Sequence, residues 1–459
     1  MKVSSLRLAI LAGLLSSSAA FAAPPTAAQE IAELKAELQR QREIATQQQA
    51  RLEALESKLN ATVDVQRAVA ENDAKEKAAE KKTLETSGKL GDGLTVKYGK
   101  DEIRLYGLID LTLRNQSNAN AKGQSVTDLT TGFFSGSRWG IIGKHNLGWD
   151  DGSANVIYKL ESEYDLRNGS EDAPGVLFNR DAWIGLESNA LGRVTFGRQN
   201  TLGRDFAEVY GVPYAKPDVD VTEGGWTNTN VSKNGIFYLG SPTGTRYDGG
   251  IVWKKKIGDF VAGAAYQLNS PPPTPAVAVA GDFSNNTTQA VALAYNGPNY
   301  TLSSDYNQSK INNLEHKTYT IGGNVRFGGF RLNAGYYRYE ADQSIVGKRT
   351  DDNYTISGSY QAEGSKLQYY LMWEGAQAHN AGLTSAGYTL AAYKPTNGVK
   401  LAGSGDRDAY AATIMYHADK RTDFYVVADY MKTSGGYHDS VANGYRSVLE
   451  LCTGLRLRF

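Results

Sequence analysis

A chain of 459 residues is long enough for several ordinary domains or for one large barrel. Its 49 Lys and Arg balance 49 Asp and Glu, so no global charge argues for nucleic acid or for an acidic partner. The single cysteine, Cys452, excludes an internal disulfide framework and gives no support to a catalytic thiol, and the mean hydropathy of −0.44 is low for a protein of the membrane.

Residues 1–22 read as a signal peptide. Lys2 and Arg7 form a basic start, an apolar stretch follows, and Ala20-Phe21-Ala22 is a cleavage site of the A-x-A kind. The apolar stretch falls short of the roughly 20 residues that a membrane anchor needs. Lys2 and Arg7 are its only charges, so the remainder carries 47 basic against 49 acidic residues, a net −2. Any charge selectivity must therefore come from local placement.

Residues 23–90 read as a coiled-coil segment and linker in the periplasm. Residues 29–86 contain neither Pro nor Gly, and Ile31, Leu34, Leu38, Ala45, Leu52, Leu55 and Leu59 recur at spacings of three and four. Gln41 and Gln48 fill intervening core positions, where polar residues fix register or oligomer number. After Thr62 the core positions turn polar (Gln66, Asp73), and a solvated single helix fits that part better.

From about Asp101 the pattern changes to a period of two, which is the mark of strands. Ile103, Leu105, Gly107, Ile109, Leu111 and Leu113 share one face, with Arg104, Tyr106, Asp110, Thr112 and Arg114 on the other. Such segments number sixteen: 102–115, 137–147, 153–165, 176–188, 192–199, 245–256, 259–269, 287–296, 298–308, 315–326, 329–341, 352–362, 365–376, 407–417, 422–433 and 445–459. Short turns such as WDDG, SNALG, NGPN and QAEGS alternate with long connections near 116–136, 200–244, 270–286 and 377–406. That asymmetry predicts an all-β fold over 91–459: a 16-stranded antiparallel transmembrane β-barrel with tight periplasmic turns and long external loops. Closure leaves no sheet edge exposed to lipid. Trp183, Tyr336, Tyr337, Tyr369 and Tyr370, near strand ends, are expected in the interfacial aromatic girdles.

The motifs LYGLID, SRWGIIGKHNLG, LESEYD, LFNRDAWIGLES, RVTFGRQNT and RYDGGIVW, with the terminal Phe459, occur in this order. Together they resemble the general porins of Gram-negative bacteria over roughly 102–459. The resemblance implies a homotrimer, a water-filled diffusion pore in the outer membrane, and a third external loop folded inward to narrow it. It places Arg138, Arg180 and Arg246 on a basic wall facing an acidic loop with Asp205, Glu208, Asp218, Asp220 and Glu223. Alternation agrees in putting Arg138 and Lys144 inward opposite Trp139, Arg180 opposite Trp183, and Arg246, Asp248 and Lys254 opposite Tyr247, Ile251 and Trp253. A charge placed across a narrow, low-dielectric throat is poorly screened.

Arg198 shares a face with Val194 and Phe196, away from the lumen. A lone outward arginine at mid-bilayer depth is costly. In the family a second-loop residue latches over the neighbouring subunit, so Arg198 is expected either to meet Glu171 or Asp172 across a trimer interface or to sit at the wet rim. Phe459 is expected to serve as the recognition signal for the barrel assembly machinery. Outer-membrane lipid, lipopolysaccharide and, through the coiled coil, peptidoglycan complete the expected partners.

Enzyme readings lack a foundation. The five histidines are scattered without metal-ligand spacing, and no nucleophile elbow, P-loop or paired-cysteine motif is present. No catalytic residue, metal or cofactor is expected. The expected function is passive diffusion of small hydrophilic solutes and ions. The alternatives are a channel specific for sugars or carboxylates, and a structural tether between outer membrane and cell wall.

Overall fold

The computed structural model describes residues 27–83, 93–207, 245–268, 287–311, 313–342, 348–380, 404–435 and 445–459. The expected signal peptide and the loop acids Glu208, Asp218, Asp220 and Glu223 lie outside the described residues. The chain divides into two units, residues 1–81 and 82–459.

The first unit is helical. Helix α1 (Ala27–Thr83) is built from strong helix formers, with no Gly or Pro to interrupt it. Ile31, Leu34, Leu38, Leu52, Leu55 and Leu59 are each more than half exposed along it. No described helix is long and apolar enough to cross a membrane, a statement that does not bear on strands.

The second unit is a closed antiparallel barrel. It begins with β1 (Leu94–Tyr98), β2 (Asp101–Gln116), β3 (Val126–Thr131), β4 (Arg138–Asn146), β5 (Asn155–Glu163), β6 (Asp181–Ser188) and β7 (Gly192–Asn200), followed by the short helix α2 (Leu202–Ala207). It continues with β8 (Arg246–Ile257), β9 (Phe260–Gln267), β10 (Thr287–Asn296), β11 (Tyr300–Ile311), β12 (Leu314–Phe327) and β13 (Phe330–Ala341). The last five strands are β14 (Arg349–Tyr360), β15 (Leu367–His379), β16 (Gly405–His417), β17 (Thr422–Thr433) and β18 (Ser447–Arg458). Of these eighteen, β2 and β4 through β18 form the ring of sixteen, each strand pairing with the next.

The two remaining strands lengthen the ring locally. β2 is long enough to pair with β4 over 102–108 and with β3 over 111–116. On its other edge it pairs with β18 over 108–116 and with β1 over 101–105. β3 and β4 thus act as one strand interrupted by residues 132–137.

Alternation decides which face meets what. Leu293, Ile321, Ile356, Leu371, Val426 and Leu451 are about half exposed or more on the outer face. That band is the lipid-facing half of a membrane barrel. On the same face, rings line up at the short-turn end: Phe260 with Tyr295 at 5.0 Å, Phe327 with Phe330 at 5.5 Å, and Phe330 with Tyr360 at 4.4 Å. Tyr306 with Tyr319 at 5.0 Å and Tyr336 with Tyr354 at 5.3 Å stand nearer the long loops. The girdle expectation needs correction at three positions. Trp183, Tyr337 and Tyr370 sit on the lumen side, as the strict period of two requires when Tyr336 and Tyr369 point outward.

The ring closes at the C-terminus. Phe459 and Gly107 exchange backbone hydrogen bonds of 2.8 and 3.0 Å. The Phe459 ring lies over Gly107, where a Cβ would come within 2.2 Å of it. Glycine at 107 is what lets the terminal ring seat against β2.

Candidate functional site: the charged lumen wall

Two inward packings shape the lumen. α2 lies on the inner faces of β9 to β12, with Leu202 and Phe206 fully buried against Val261, Ala265 and the alanines of β10. The alternate small residues Ala290, Ala292 and Ala294 leave the space that α2 fills. The second packing is the strap of residues 132–137. Phe133 and Phe134 are buried against Tyr370, Met415, Tyr425 and Met431 of β15 to β17. Phe134 meets Tyr425 edge-on at 4.4 Å.

Asp110 holds the strap. Its carboxylate accepts the backbone N–H of Phe134 at 3.0 Å and of Ser135 at 2.9 Å, and the Tyr425 hydroxyl at 2.5 Å. Arg456 reaches the Ser135 hydroxyl at 3.3 Å while bonding Asp423 at 2.8 and 3.0 Å. His417 and Arg458 also converge on Asp423, at 2.7 and 2.9 Å. The last strand is therefore tied both to its neighbours and to the strap.

Between these two packings the wall from β2 to β8 carries a connected cluster of charged side chains. Arg138 is buried on the lumen face, its Nε donating to the Gly136 carbonyl at 2.8 Å, with Glu161 at 4.0 Å. Arg180 pairs with both Glu161 and Glu163. Lys159 bonds Asp181 at 2.6 Å and lies 3.3 Å from Glu161, which also accepts the Tyr106 hydroxyl at 2.6 Å. Arg246 lies within electrostatic range of Arg180 and Arg204, and its Nε and one Nη are buried with no hydrogen-bond partner among the described residues. Asp205, on α2, pairs with Lys254 and accepts Asn200 Nδ2 at 2.9 Å. Asp205 is the expected loop acid that falls within the described residues; its partner is Lys254, not an arginine of the trio.

Local irregularities moved some side chains from where strict alternation put them. Arg180 precedes β6, so it reaches the lumen from a connection, and Trp183 does not oppose it. The β7–β8 pairing slips between Gly197 and Gln199 of β7, which face Gly250 and Tyr247 of β8, and Gly197 (φ 128°) and Gly249 (φ 63°) take conformations that favour glycine. The bulge turns Tyr247 inward, where it is fully buried and donates to Asn307 at 3.1 Å. It turns Asp248 outward, where it pairs with Arg198.

Arg198 also donates to the Asn179 carbonyl at 2.7 Å, so both its partners are in its own chain. In the second loop, Glu171 accepts the Gly175 N–H at 2.8 Å, and Asp172 accepts Asn179 Nδ2 at 3.2 Å. Burial lifts the Asp172 carboxyl above its usual range, whereas hydrogen bonds from Arg167 hold nearby Asp165 below it. Lys159, Glu161 and Glu163 fall inward on simple alternation; the strap and Arg204 carried no such signal.

A family model for Gram-negative porins matches residues 55–436. The chain is 24% identical over 407 residues to an outer membrane porin protein of Bordetella pertussis, covering 83% of this chain and 100% of the relative. Its fold is similar to that of the anion-selective porin from Comamonas acidovorans, with a TM-score of 0.57 at 18% identity, over 78% of this chain and 100% of that one. It is similar also to OmpF of Salmonella typhi in complex with daunomycin, with a TM-score of 0.52 at 14% identity, over 80% and 100%. The trimer form of OmpT from Vibrio cholerae gives a TM-score of 0.51 at 15% identity, over 78% and 99%. The sequence match, the closed ring of sixteen strands and the charged lumen lead to one conclusion: this chain belongs to the Gram-negative porin family and forms an outer-membrane β-barrel channel.

Proposed function

We propose that the barrel assembles as a homotrimer whose subunits each hold a water-filled pore for passive diffusion of small hydrophilic solutes and ions. The observation that carries this reading is a lumen wall lined by ion pairs, with α2 folded against the opposite inner face. The third loop, of which α2 is the start, narrows the pore, and Arg138, Arg180 and Arg246 face its acids across the throat. The trimer form of OmpT is support by analogy for the assembly. Swelling of liposomes containing the purified protein tests the reading. Swelling rates should fall steadily as the sugar grows from a pentose to a trisaccharide; equal exclusion of all of them contradicts an open diffusion pore.

A preference for anions is a second reading, favoured by Arg246, whose Nε and one Nη are buried with no hydrogen bond among the described residues. Comamonas acidovorans provides a porin of similar fold described as anion-selective. Reversal potentials in a salt gradient decide it by their sign.

The exposed apolar row of α1 supports a coiled coil that joins three chains in the periplasm. A tether to peptidoglycan through that coil is compatible with the channel. Deleting residues 29–86 should lower cell-wall association and leave unit conductance unchanged if the rod tethers; unchanged association removes the tether. Across a trimer interface, Arg198 would have to exchange Asp248 for a neighbouring Glu171 or Asp172. Loss of trimer thermal stability in Arg198→Ala that is matched by Asp248→Ala assigns Arg198 to its own chain instead.

A further inference from the structure

The wall from β2 to β8 encloses a cavity of about 400 Å³ on the short-turn side of the arginine cluster. Small-molecule sites commonly span roughly 300–1,000 Å³. Its lining is of two kinds. Ile142, Ile157, Val252 and Trp183 provide apolar surface, and five basic side chains stand among them.

The charges do not cancel. Each acid of the cavity already holds a cation. Asp181 takes Lys159 at 2.6 Å and Glu102 takes Lys97 at 3.4 Å, while Glu187 pairs with Arg193 and Asp205 with Lys254. Arg104 and Lys144 have no acidic partner among the described residues. Arg104 Nε is buried and makes no hydrogen bond among the described residues; the guanidinium lies 5.9 Å from the Tyr106 ring centre. The cavity therefore has unsatisfied positive charge.

Register sets these groups side by side. Arg104 pairs across the sheet with Ile142, Ile142 with Lys159, and Lys159 with Trp183, so one rung of the lumen wall reads cation, apolar, cation, aromatic. Trp183 is half-buried and makes no hydrogen bond among the described residues, which leaves its ring edge and face available. An indole in the lumen does nothing for lipid anchoring, and a polar wall needs none for wetting.

We propose that this cavity is a binding subsite for small aromatic carboxylates on their way through the pore. The carboxylate meets the Arg104 guanidinium, whose planar fork suits two parallel hydrogen bonds. Lys144 adds charge one rung closer to the short turns. The ring of the solute lies between Ile142 and Trp183, where a flat aromatic packs better than an aliphatic chain. The subsite deepens the channel reading and rests on it for its purpose, though binding itself can be measured without conduction.

In planar bilayers carrying KCl current, benzoate, cyclohexanecarboxylate and acetate are added in turn as potassium salts. Benzoate should reduce the current at about tenfold lower concentration than acetate, with cyclohexanecarboxylate between them. Trp183→Leu should bring benzoate to within about twofold of cyclohexanecarboxylate, and Arg104→Gln should weaken benzoate about tenfold. Equal potency of benzoate and acetate on the parent channel overturns the subsite, as does an undiminished benzoate preference in Trp183→Leu. The two variants alter different strands, so a failure of one to fold leaves the other decisive. If the parent carries no current, the channel reading fails by itself. Benzoate quenching of tryptophan fluorescence in the detergent-solubilised full chain, lost in Trp183→Leu, then upholds the subsite; its absence from the parent overturns it.

Discussion

Gly107 and Phe459 form a contact that a single methyl group should break. A Cβ at 107 would stand 2.2 Å from the terminal ring, so Gly107→Ala must push the ring off the seam. Overpacking of this kind costs about 1–3 kcal/mol. The expected result is a lower unfolding temperature of the detergent-solubilised barrel and a smaller folded fraction by heat-modified gel mobility. An unchanged melting curve would show that the ring finds an equivalent seat. Deletion of Phe459 is expected to lower surface levels, since the assembly machinery is proposed to recognise this residue; normal surface levels would contradict that role. The aromatic end and its alternating strand are plain in the sequence. The glycine that receives the ring is not, because nothing local distinguishes it from glycines that merely relieve crowding.

Side-chain direction was legible where strands are regular. Lys159, Glu161 and Glu163 on β5 point inward as a period of two demands. It failed at Trp183, expected to oppose Arg180 and found on the lumen side with it, and at Tyr247 and Asp248, where one bulge reverses the faces. A bulge depends on the neighbouring strand, so the β8 sequence alone could not announce it.

The elements with strong alternation were all readable, and their bounds differ from the observed ones by a few residues. The elements that escaped are short or depend on tertiary contacts: β1, β3, α2 and the strap. Most of the strap fell in the long connection expected near 116–136, yet Phe134 and Ser135 are fully buried. Two predictions belong here. Phe134→Ala removes a buried ring and should destabilise the barrel by about 3 kcal/mol or somewhat more, read as a drop in unfolding temperature. The same variant should raise unit conductance if the strap occupies part of the bore; a stability loss with unchanged conductance would confine the strap to a structural role. Phe206→Ala should loosen α2 from its alanine-lined seat and make single-channel currents noisier. Currents as quiet as those of the parent would mean that α2 is held by its ion pair, Asp205 with Lys254, and by Leu202.

At the scale of the whole molecule, two kinds of surface follow one rule. The barrel turns alternate residues to lipid and lumen, which reconciles a low mean hydropathy with a membrane-spanning fold. The low hydropathy was readable as a puzzle in the composition, and the closed ring explains it. The placement of the pore charges was only half readable, since α2 and the strap reach the lumen from connections whose sequences carry no period. The helix leaves its apolar row exposed in a single chain, and association of chains would cover it. Comparing the full chain with one lacking residues 29–86 tests that step: the deletion should lower the thermal stability of the trimer in detergent more than that of the folded barrel. Equal loss in both would assign the helix no part in assembly.

The central claim is that each barrel is an open aqueous channel. Single-channel recording of the full protein in planar bilayers tests it most directly. The expected result is insertion in groups of three equal conductance steps, each rising in proportion to the bulk conductivity of the KCl solution. Insertion without conductance, by protein shown to be folded in the same preparation, would contradict it.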